Sequence, residues 1–245
     1  MKKYSGLGNS FLILFEDELS EDRVSFIRNN VGDLDGFIFV GKESDLYVMN
    51  YYNRDGSYAE YCGNGARCFL RFLYDEGIVM KSERIHFKIK ARVLEGMITD
   101  KDTEIMVEMP PIEDKGKLTI EEFSGSFIIT GVPHFVIELP SVDKLENFPV
   151  DEIGRLLSSN KSFISGANVN LYSIVNKDLI RIRTYERGVE RETMACGTGS
   201  VSSAYVYMKK YGSESEFINV QTNGGMLKVH FNKNKIFLIG GVENV

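Results

Sequence analysis

Asp45-Leu-Tyr-Val-Met-Asn-Tyr-Tyr-Asn53-Arg54, a turn at Asp55-Gly56, and then Cys62-Gly63-Asn64-Gly65 form a block that occurs twice in this chain. The second copy is Asp178-Leu-Ile-Arg-Ile-Arg-Thr-Tyr-Glu186-Arg187, a turn at Gly188, and Cys196-Gly197-Thr198-Gly199. Each copy opens as a strand-like run from an Asp-Leu pair to an Xaa-Arg pair. Its Cys-Gly-Xaa-Gly follows nine residues after Asn53 in one copy and ten after Glu186 in the other, and then enters a helical pattern. Strand, glycine turn, Cys-Gly-Xaa-Gly and helix therefore recur together, with 134 residues separating Cys62 from Cys196. A single Cys-Gly-Xaa-Gly is a weak signal, but a whole duplicated supersecondary block implies duplicated architecture.

Short β-branched or aromatic runs surround the two blocks. They lie at Phe11–Phe15, Gly36–Val40, Leu46–Tyr52, Ile85–Ile89, Glu104–Met109 and Ser126–Ile129, and again at Phe135–Leu139, Asn168–Val175, Leu179–Tyr185, Phe217–Gln221, Leu227–Phe231 and Ile236–Ile239. Most are bounded by Gly, Asn, Asp or Pro and read as strands. Helices are expected over Glu21–Asn29, from Asn64 to about Asp75, over Asp151–Ser158, and from Thr198 to about Tyr211. The fold class is α+β. Two similar domains are expected, 1–113 with Cys62 and 114–245 with Cys196, joined through the Pro-, Glu- and Lys-rich stretch Pro110–Lys117.

The chain has 245 residues, 43% of them hydrophobic, enough to bury real cores. Its net charge of −6 and scattered basic residues disfavour nucleic acid as a partner. The apolar run Phe11–Phe15 ends at Glu16-Asp17 and is too short for a secretory signal, and no stretch reaches spanning length, so a cytoplasmic protein is expected. The three cysteines are odd in number and widely spaced. They fit neither a disulfide framework nor a zinc site, and they read as individual thiols.

A cysteine at a helix start stands beside unpaired backbone N–H groups and the positive end of the helix dipole. The adjacent glycines let an anion approach that backbone, and the same field makes the thiolate accessible. Each half thus offers one activatable thiol and half of an anion pocket. Two such halves facing each other suit inversion of a stereocentre next to a carboxylate. One thiolate removes the α-proton and the opposite thiol delivers another. The charge developing on the carboxylate meets two helix ends. Other chemistries fit less well. His86, His134 and His230 fall outside the duplicated block, no Gly-Lys-Ser/Thr phosphate loop occurs, and no lysine suggests a pyridoxal Schiff base. Ser5-Gly6-Leu7-Gly8 lacks a third glycine and follows no expected strand, so it is no dinucleotide fingerprint. Cys68, among Ala66, Phe69 and Leu70, reads as core.

These residues resemble a known family. Asn53-Arg-Asp-Gly-Ser57 leading to Cys62-Gly-Asn-Gly-Ala-Arg-Cys-Phe69 is similar to the first signature of the diaminopimelate epimerases. Tyr185-Glu-Arg-Gly-Val-Glu190 with Glu192-Thr-Met-Ala-Cys-Gly-Thr-Gly199 is similar to the second. Lys3-Tyr-Ser-Gly-Leu-Gly-Asn-Ser-Phe11, Gly166-Ala-Asn-Val-Asn-Leu171 and Gly224-Gly225 extend the resemblance over nearly the whole chain. It implies two pseudo-symmetric domains, each a β-sheet wrapped around a central helix, with the active site in the cleft between them. It implies interconversion of LL- and meso-2,6-diaminopimelate, a late step toward lysine and peptidoglycan precursors, with neither pyridoxal phosphate nor metal. Cys62 and Cys196 would be the acid/base pair. Gly63, Asn64, Gly197 and Thr198 would hold the reacting carboxylate, and Asn9, Asn53, Asn168, Glu186 and Arg187 the rest of the substrate. Arg187 suits a distal carboxylate, because its planar fork matches that group bidentately. The expected partner is a small-molecule substrate, with no nucleic acid or membrane, and a homodimer is left open.

Three departures bear on specificity. Gly131-Val132-Pro133-His134 stands where the family usually has Gly-Asn-Pro-His, so one hydrogen-bonding contact to the distal end is missing. Gly36 stands where some members have a substrate-facing Gln. The family runs on past the position of Val245 by a short strand that returns to the first domain, which leaves a weaker tether expected here. The rival in the same class is a histidine- or proline-type racemase; Asn53 and the Glu186-Arg187 pair favour a substrate with a distal amino-acid group instead. A non-catalytic binding protein on this fold would not need two intact thiols beside glycine turns. A phenazine-type isomerase should lack the paired cysteines.

Overall fold

The computed structural model describes residues 1–59, 61–101, 103–212 and 215–245. The chain divides into two units, Met1–Glu108 with Ile239–Val245, and Met109–Leu238.

The first unit opens with β1 (Lys2–Gly6) and β2 (Asn9–Phe15), an antiparallel hairpin. Its two-residue turn puts Leu7 at φ +56° and Gly8 at φ +89°, the mirror-type geometry that matches strand twist. A strand therefore does precede the Gly6-Leu7-Gly8 run, contrary to the sequence reading. Its short alternation of half-buried and buried residues is a weak signal. The run turns into another strand rather than a helix, so it remains outside the dinucleotide pattern. Helix α1 (Arg23–Asn30) is capped by Asp22, whose carboxylate accepts the N–H groups of Val24 and Ser25 at 3.1 Å. It leads to β3 (Gly36–Glu43), parallel to β2, and β4 (Leu46–Asn53), antiparallel to β3. Helix α2 (Gly63–Asp75) follows, then β5 (Arg84–Ile89) parallel to β4, β6 (Arg92–Ile98) and β7 (Glu104–Glu108). Along α2, Gly63 through Leu70, Phe72 and Leu73 are all buried. A helix covered on nearly every side belongs inside its sheet, and α2 packs on strands β1 to β4, β6 and β7.

The second unit opens with β8 (Ile112–Ile120), β9 (Phe123–Thr130) and β10 (Val132–Glu138), each antiparallel to the next. The Pro110–Lys117 stretch read as a crossing segment is thus mostly strand. Glu113, Lys115 and Lys117 fill its exposed face, while Ile112, Asp114, Gly116 and Leu118 alternate as the half-buried one. Helices α3 (Val142–Glu146) and α4 (Val150–Ser158) lead to β11 (Asn168–Asn176), parallel to β10. Strand β12 (Leu179–Glu186) runs antiparallel to β11, and the short β13 (Arg191–Thr193) pairs back on it. Helix α5 (Gly197–Tyr211) precedes β14 (Phe217–Thr222), which is parallel to β12, and β15 (Gly225–Asn232). Gly197 through Ala204 and Tyr207 are buried in α5.

The units repeat one topology. An antiparallel hairpin, a parallel crossover through helix, an antiparallel partner, the buried helix, a second parallel neighbour and its hairpin mate occur in that order in both. The pseudo-symmetric α+β architecture, with a sheet around a central helix, is therefore present in each half. The C-terminal residues differ from the expected division. Strand β16 (Lys235–Gly241) is followed by β17 (Glu243–Asn244), which pairs with β1 through Tyr4 and Ser5. Val242 donates its N–H to the Thr103 carbonyl at 3.2 Å. These bonds assign 239–245 to the first unit, and the short tail still supplies a returning strand. Among the described residues, no helix is long and apolar enough to cross a membrane.

Candidate active site

In each unit the cysteine is the N-cap of the buried helix, in extended backbone conformation. Gly65 N–H donates to Cys62 Sγ at 3.3 Å, and Gly199 N–H donates to Cys196 Sγ at 3.4 Å. Sulfur occupies the place that a Ser or Asp oxygen takes in an ordinary cap. Each thiol therefore already points at the first-turn N–H groups that stabilise a thiolate. Cys196 also lies 3.5 Å from the Thr198 hydroxyl. Both second glycines sit in tight packing, severe at Gly199 and milder at Gly65. A Cβ on Gly65 would meet Met49 Cε at 3.1 Å and Ile38 Cδ1 at 3.3 Å, and one on Gly199 would lie 2.1 Å from Asn170 Oδ1. Cys68 is fully buried and burial pushes its thiol well above the ordinary range, as fits a core residue.

Asn9, Asn64, Gly63 and Cys62 come together in the first unit. The hairpin turn delivers Asn9, whose Oδ1 accepts Asn64 Nδ2–H at 2.5 Å. Asn64 Oδ1 accepts from the Arg67 guanidinium at 3.0 Å, so both ends of that amide are fixed. Asn53 ends β4 opposite Gly36. Its carboxamide accepts from the Tyr51 hydroxyl at 3.1 Å and donates to Ser57 Oγ at 2.9 Å. A Cβ on Gly36 would lie 2.5 Å from the Tyr51 ring, so here the tyrosine fills the space over the glycine.

In the second unit, Asn168 opens β11 and its Oδ1 accepts the Arg187 backbone N–H at 2.9 Å. The Arg187 guanidinium donates to the Ser165 and Gly166 carbonyls and the Ser165 hydroxyl. Glu186 accepts the Thr193 hydroxyl just ahead of Cys196. Gly224 N–H donates to the Met194 carbonyl at 2.6 Å, which ties the Gly224-Gly225 turn to the approach to Cys196. Gly197 and Thr198 form the first turn of α5, buried with the cysteine. Val132 begins β10 and is half-buried.

Sequence reasoning did not single out a buried polar group beneath Cys196. Asn170 Nδ2 lies 2.9 Å from His134 Nδ1, and Asn170 Oδ1 accepts the Thr184 hydroxyl at 3.1 Å. With its oxygen so occupied, Asn170 presents N–H to the ring, so His134 Nδ1 accepts and the proton resides on Nε2. That Nε2 is buried and has no hydrogen-bond partner among the described residues. Burial, with Arg187 adding to it, pushes the imidazole down to about 3, so it is neutral. The available signal was Asn170 itself, two residues from Asn168 and hence on the same strand face. Arg67 is a second buried polar group beside a cysteine. It is fully buried in α2, one turn from Cys62 and Gly63.

A model of the diaminopimelate epimerase family matches residues 1–113 and 126–245. The chain is similar to the diaminopimelate epimerase of Thermotoga maritima, at 41% identity covering 98% of this chain and 97% of that protein. It is also similar to the one from Aquifex aeolicus, at 35% identity covering 99% and 94%. Among solved structures, a phenazine biosynthesis protein of the PhzF family from Bacillus anthracis superposes with a TM-score of 0.79 at 15% identity, covering 100% of this chain and 96% of that one. A hydroxyproline epimerase from Agrobacterium vitis superposes with a TM-score of 0.75 at 13% identity, covering 100% and 88%. At these identities the two structures speak for the fold alone.

Proposed function

Because the chain belongs to the diaminopimelate epimerase family, we propose that it interconverts LL- and meso-2,6-diaminopimelate by moving the α-proton between Cys62 and Cys196. The observation that carries this reading is the duplicated cap, in which each thiol accepts an N–H of the helix it starts. In the proposed mechanism the two half-sites take one substrate. Its reacting carboxylate receives N–H groups from Gly63, Asn64, Gly197 and Thr198. One cysteine, as thiolate, removes the α-proton, and the carbanion's charge spreads into the carboxylate, toward the two helix ends. The other cysteine, as thiol, protonates the opposite face. Each turnover leaves the two cysteines with their protonation states exchanged.

Recognition of the rest of the substrate is assigned to Asn9, Asn53, Asn168, Glu186 and Arg187, the last four at its distal amino-acid group. The charges of Glu186 and Arg187 complement an ammonium and a carboxylate. We read the enzyme as cytoplasmic, where free thiols stay reduced, acting on a small substrate in lysine and peptidoglycan precursor synthesis without cofactor. A homodimer is the assembly to test by sedimentation. The decisive experiment is a comparison of kcat/KM for diaminopimelate, histidine, proline, glutamate and lysine. Diaminopimelate should be preferred by orders of magnitude. A monocarboxylic amino acid as the best substrate would replace this reading with a racemase of that amino acid.

A further inference from the structure

Helix α2 buries a full positive charge at its own positive end. Arg67 is 0% exposed, and its guanidinium folds back on the first turn, donating to the Gly63 carbonyl at 3.4 Å and Asn64 Oδ1 at 3.0 Å. Its Nε is buried with no hydrogen-bond partner among the described residues. The groups coupled to it electrostatically are Cys68, Cys62 and Tyr61, and none is a carboxylate. Among the described residues, the acids on the elements packed around α2 have other partners, Glu43 with Lys88 among them. Asp75 pairs with Arg71, Glu95 with Arg84, and Glu104 with Lys101, while Glu108 accepts the Glu95 N–H. Tyr61 donates to the Glu108 carbonyl, and the bases Lys2 and Arg84 are held by Glu76 and Glu95. A buried cation without a counterion is costly, and here it adds to the positive end of the helix dipole. An anion formed in the same turn relieves both.

The repeat shows that this charge is not part of the shared scaffold. The residue 134 positions on, equivalent to Arg67, is the buried Val201. Beneath Cys196 the hydrogen-bonding side chains Thr198, Asn170, Thr184 and His134 are neutral, and the charged Glu186 and Arg187 bond to Thr193 and to the Ser165–Gly166 turn. We propose that Arg67 is a positioning residue that acts as the resident counter-charge of Cys62 and fixes Asn64, so that Cys62 is the thiolate and Cys196 the thiol in the substrate-free enzyme. This rests on the proposed two-thiol chemistry. It adds that the two half-sites are chemically unequal before substrate arrives.

The test is the pH dependence of alkylation by iodoacetamide, read separately on the Cys62 and Cys196 peptides by mass spectrometry. The midpoint reports thiolate formation and, unlike the rate, does not depend on access to the sulfur. In the unaltered protein the Cys62 midpoint should lie below that of Cys196. Arg67→Met should raise the Cys62 midpoint by about one pH unit or more, the usual effect of losing a nearby opposite charge, slow its alkylation at pH 7 about tenfold, and leave Cys196 in place. Arg67→Lys should keep the Cys62 midpoint near its original value. A Cys62 midpoint equal to or above that of Cys196 in the unaltered protein overturns the proposal, and this comparison needs no variant to fold. An unchanged Cys62 midpoint in folded Arg67→Met overturns it as well. No substrate is involved, so a failure here is separate from a failure to turn over diaminopimelate.

Discussion

Asn170 holds His134 as an acceptor at Nδ1, 2.9 Å away, and leaves its Nε2–H as a buried donor with no partner among the described residues. Burial and Arg187 keep the ring neutral down to about pH 3. The unfolded chain takes up this proton near the ordinary histidine pKa of about 6.5. Between those values only the unfolded state binds the proton, so folding stability is lost as pH falls from about 6.5 toward 3 and is unaffected by this group above that window. The slope attributable to one such group is about 1.4 kcal/mol per pH unit. His134→Gln should make the dependence of unfolding free energy on pH between 6 and 4 shallower by about one proton. Denaturant titrations at several pH values measure this, and an unchanged slope would mean that His134 is solvated.

The thiols should separate cleanly by role. Cys62→Ala and Cys196→Ala should each abolish epimerisation with the fold retained, because each removes the only proton carrier proposed for one face. Cys68→Ala should stay active. It should lose about 1 kcal/mol of stability, the usual scale for removing one small buried group, because Cys68 is fully enclosed. Assays of racemisation and thermal unfolding on the three variants decide the matter; full turnover by either of the first two would end the two-thiol mechanism.

Gly199→Ala should damage the second half-site through Asn170. The new Cβ would lie 2.1 Å from Asn170 Oδ1, an overlap that forces the strand or the helix to move. Overpacking of this kind costs about 1–3 kcal/mol, and activity should drop with the displaced Cys196. Asn170→Ala in the same chain should return part of the lost stability without restoring full activity. A double-mutant cycle with no coupling between the two positions would contradict the contact.

Arg187 and Val132 should behave oppositely toward the substrate. Loss of a charge-assisted contact is worth about 1.5–3 kcal/mol, so Arg187→Met should raise KM for diaminopimelate about ten- to a hundredfold. Arg187 is also tied to the Ser165–Gly166 turn, so Arg187→Lys should rescue little. Val132→Asn should change kcat/KM by no more than about tenfold in either direction, the value of one neutral hydrogen bond. Steady-state kinetics on the three variants check these expectations, and unaltered diaminopimelate kinetics in Arg187→Met would remove Arg187 from the distal site.

The repeat made the two central helices and both cysteines legible, because a thiol before Gly-Xaa-Gly marks a helix start to within a residue of the observed Gly63 and Gly197. Strands whose exposed face is charged were harder to see. Strand β8 hides Ile112, Leu118 and Ile120 among Glu113, Lys115 and Lys117, and β1 offers only Tyr4 and Gly6 as buried residues. The return of β17 to β1 is a pairing between the two ends of the chain, which local pattern does not encode. The His134–Asn170–Thr184 group draws on β10, β11 and β12, so it appears only once register is known. Arg67 gave a readable hint, a charge set into the run Ala66-Arg67-Cys68-Phe69-Leu70, which is otherwise apolar and buried.

The most direct test of the account is the early-time reaction of LL-diaminopimelate in deuterium oxide, with label measured in substrate and product before appreciable reversal. Two groups on opposite faces should put one solvent deuterium at the inverted α-carbon of the meso product, while recovered LL-diaminopimelate stays largely unlabelled. Product that retains its original α-protium, or substrate that gains deuterium as fast as product does, would contradict proton transfer between Cys62 and Cys196.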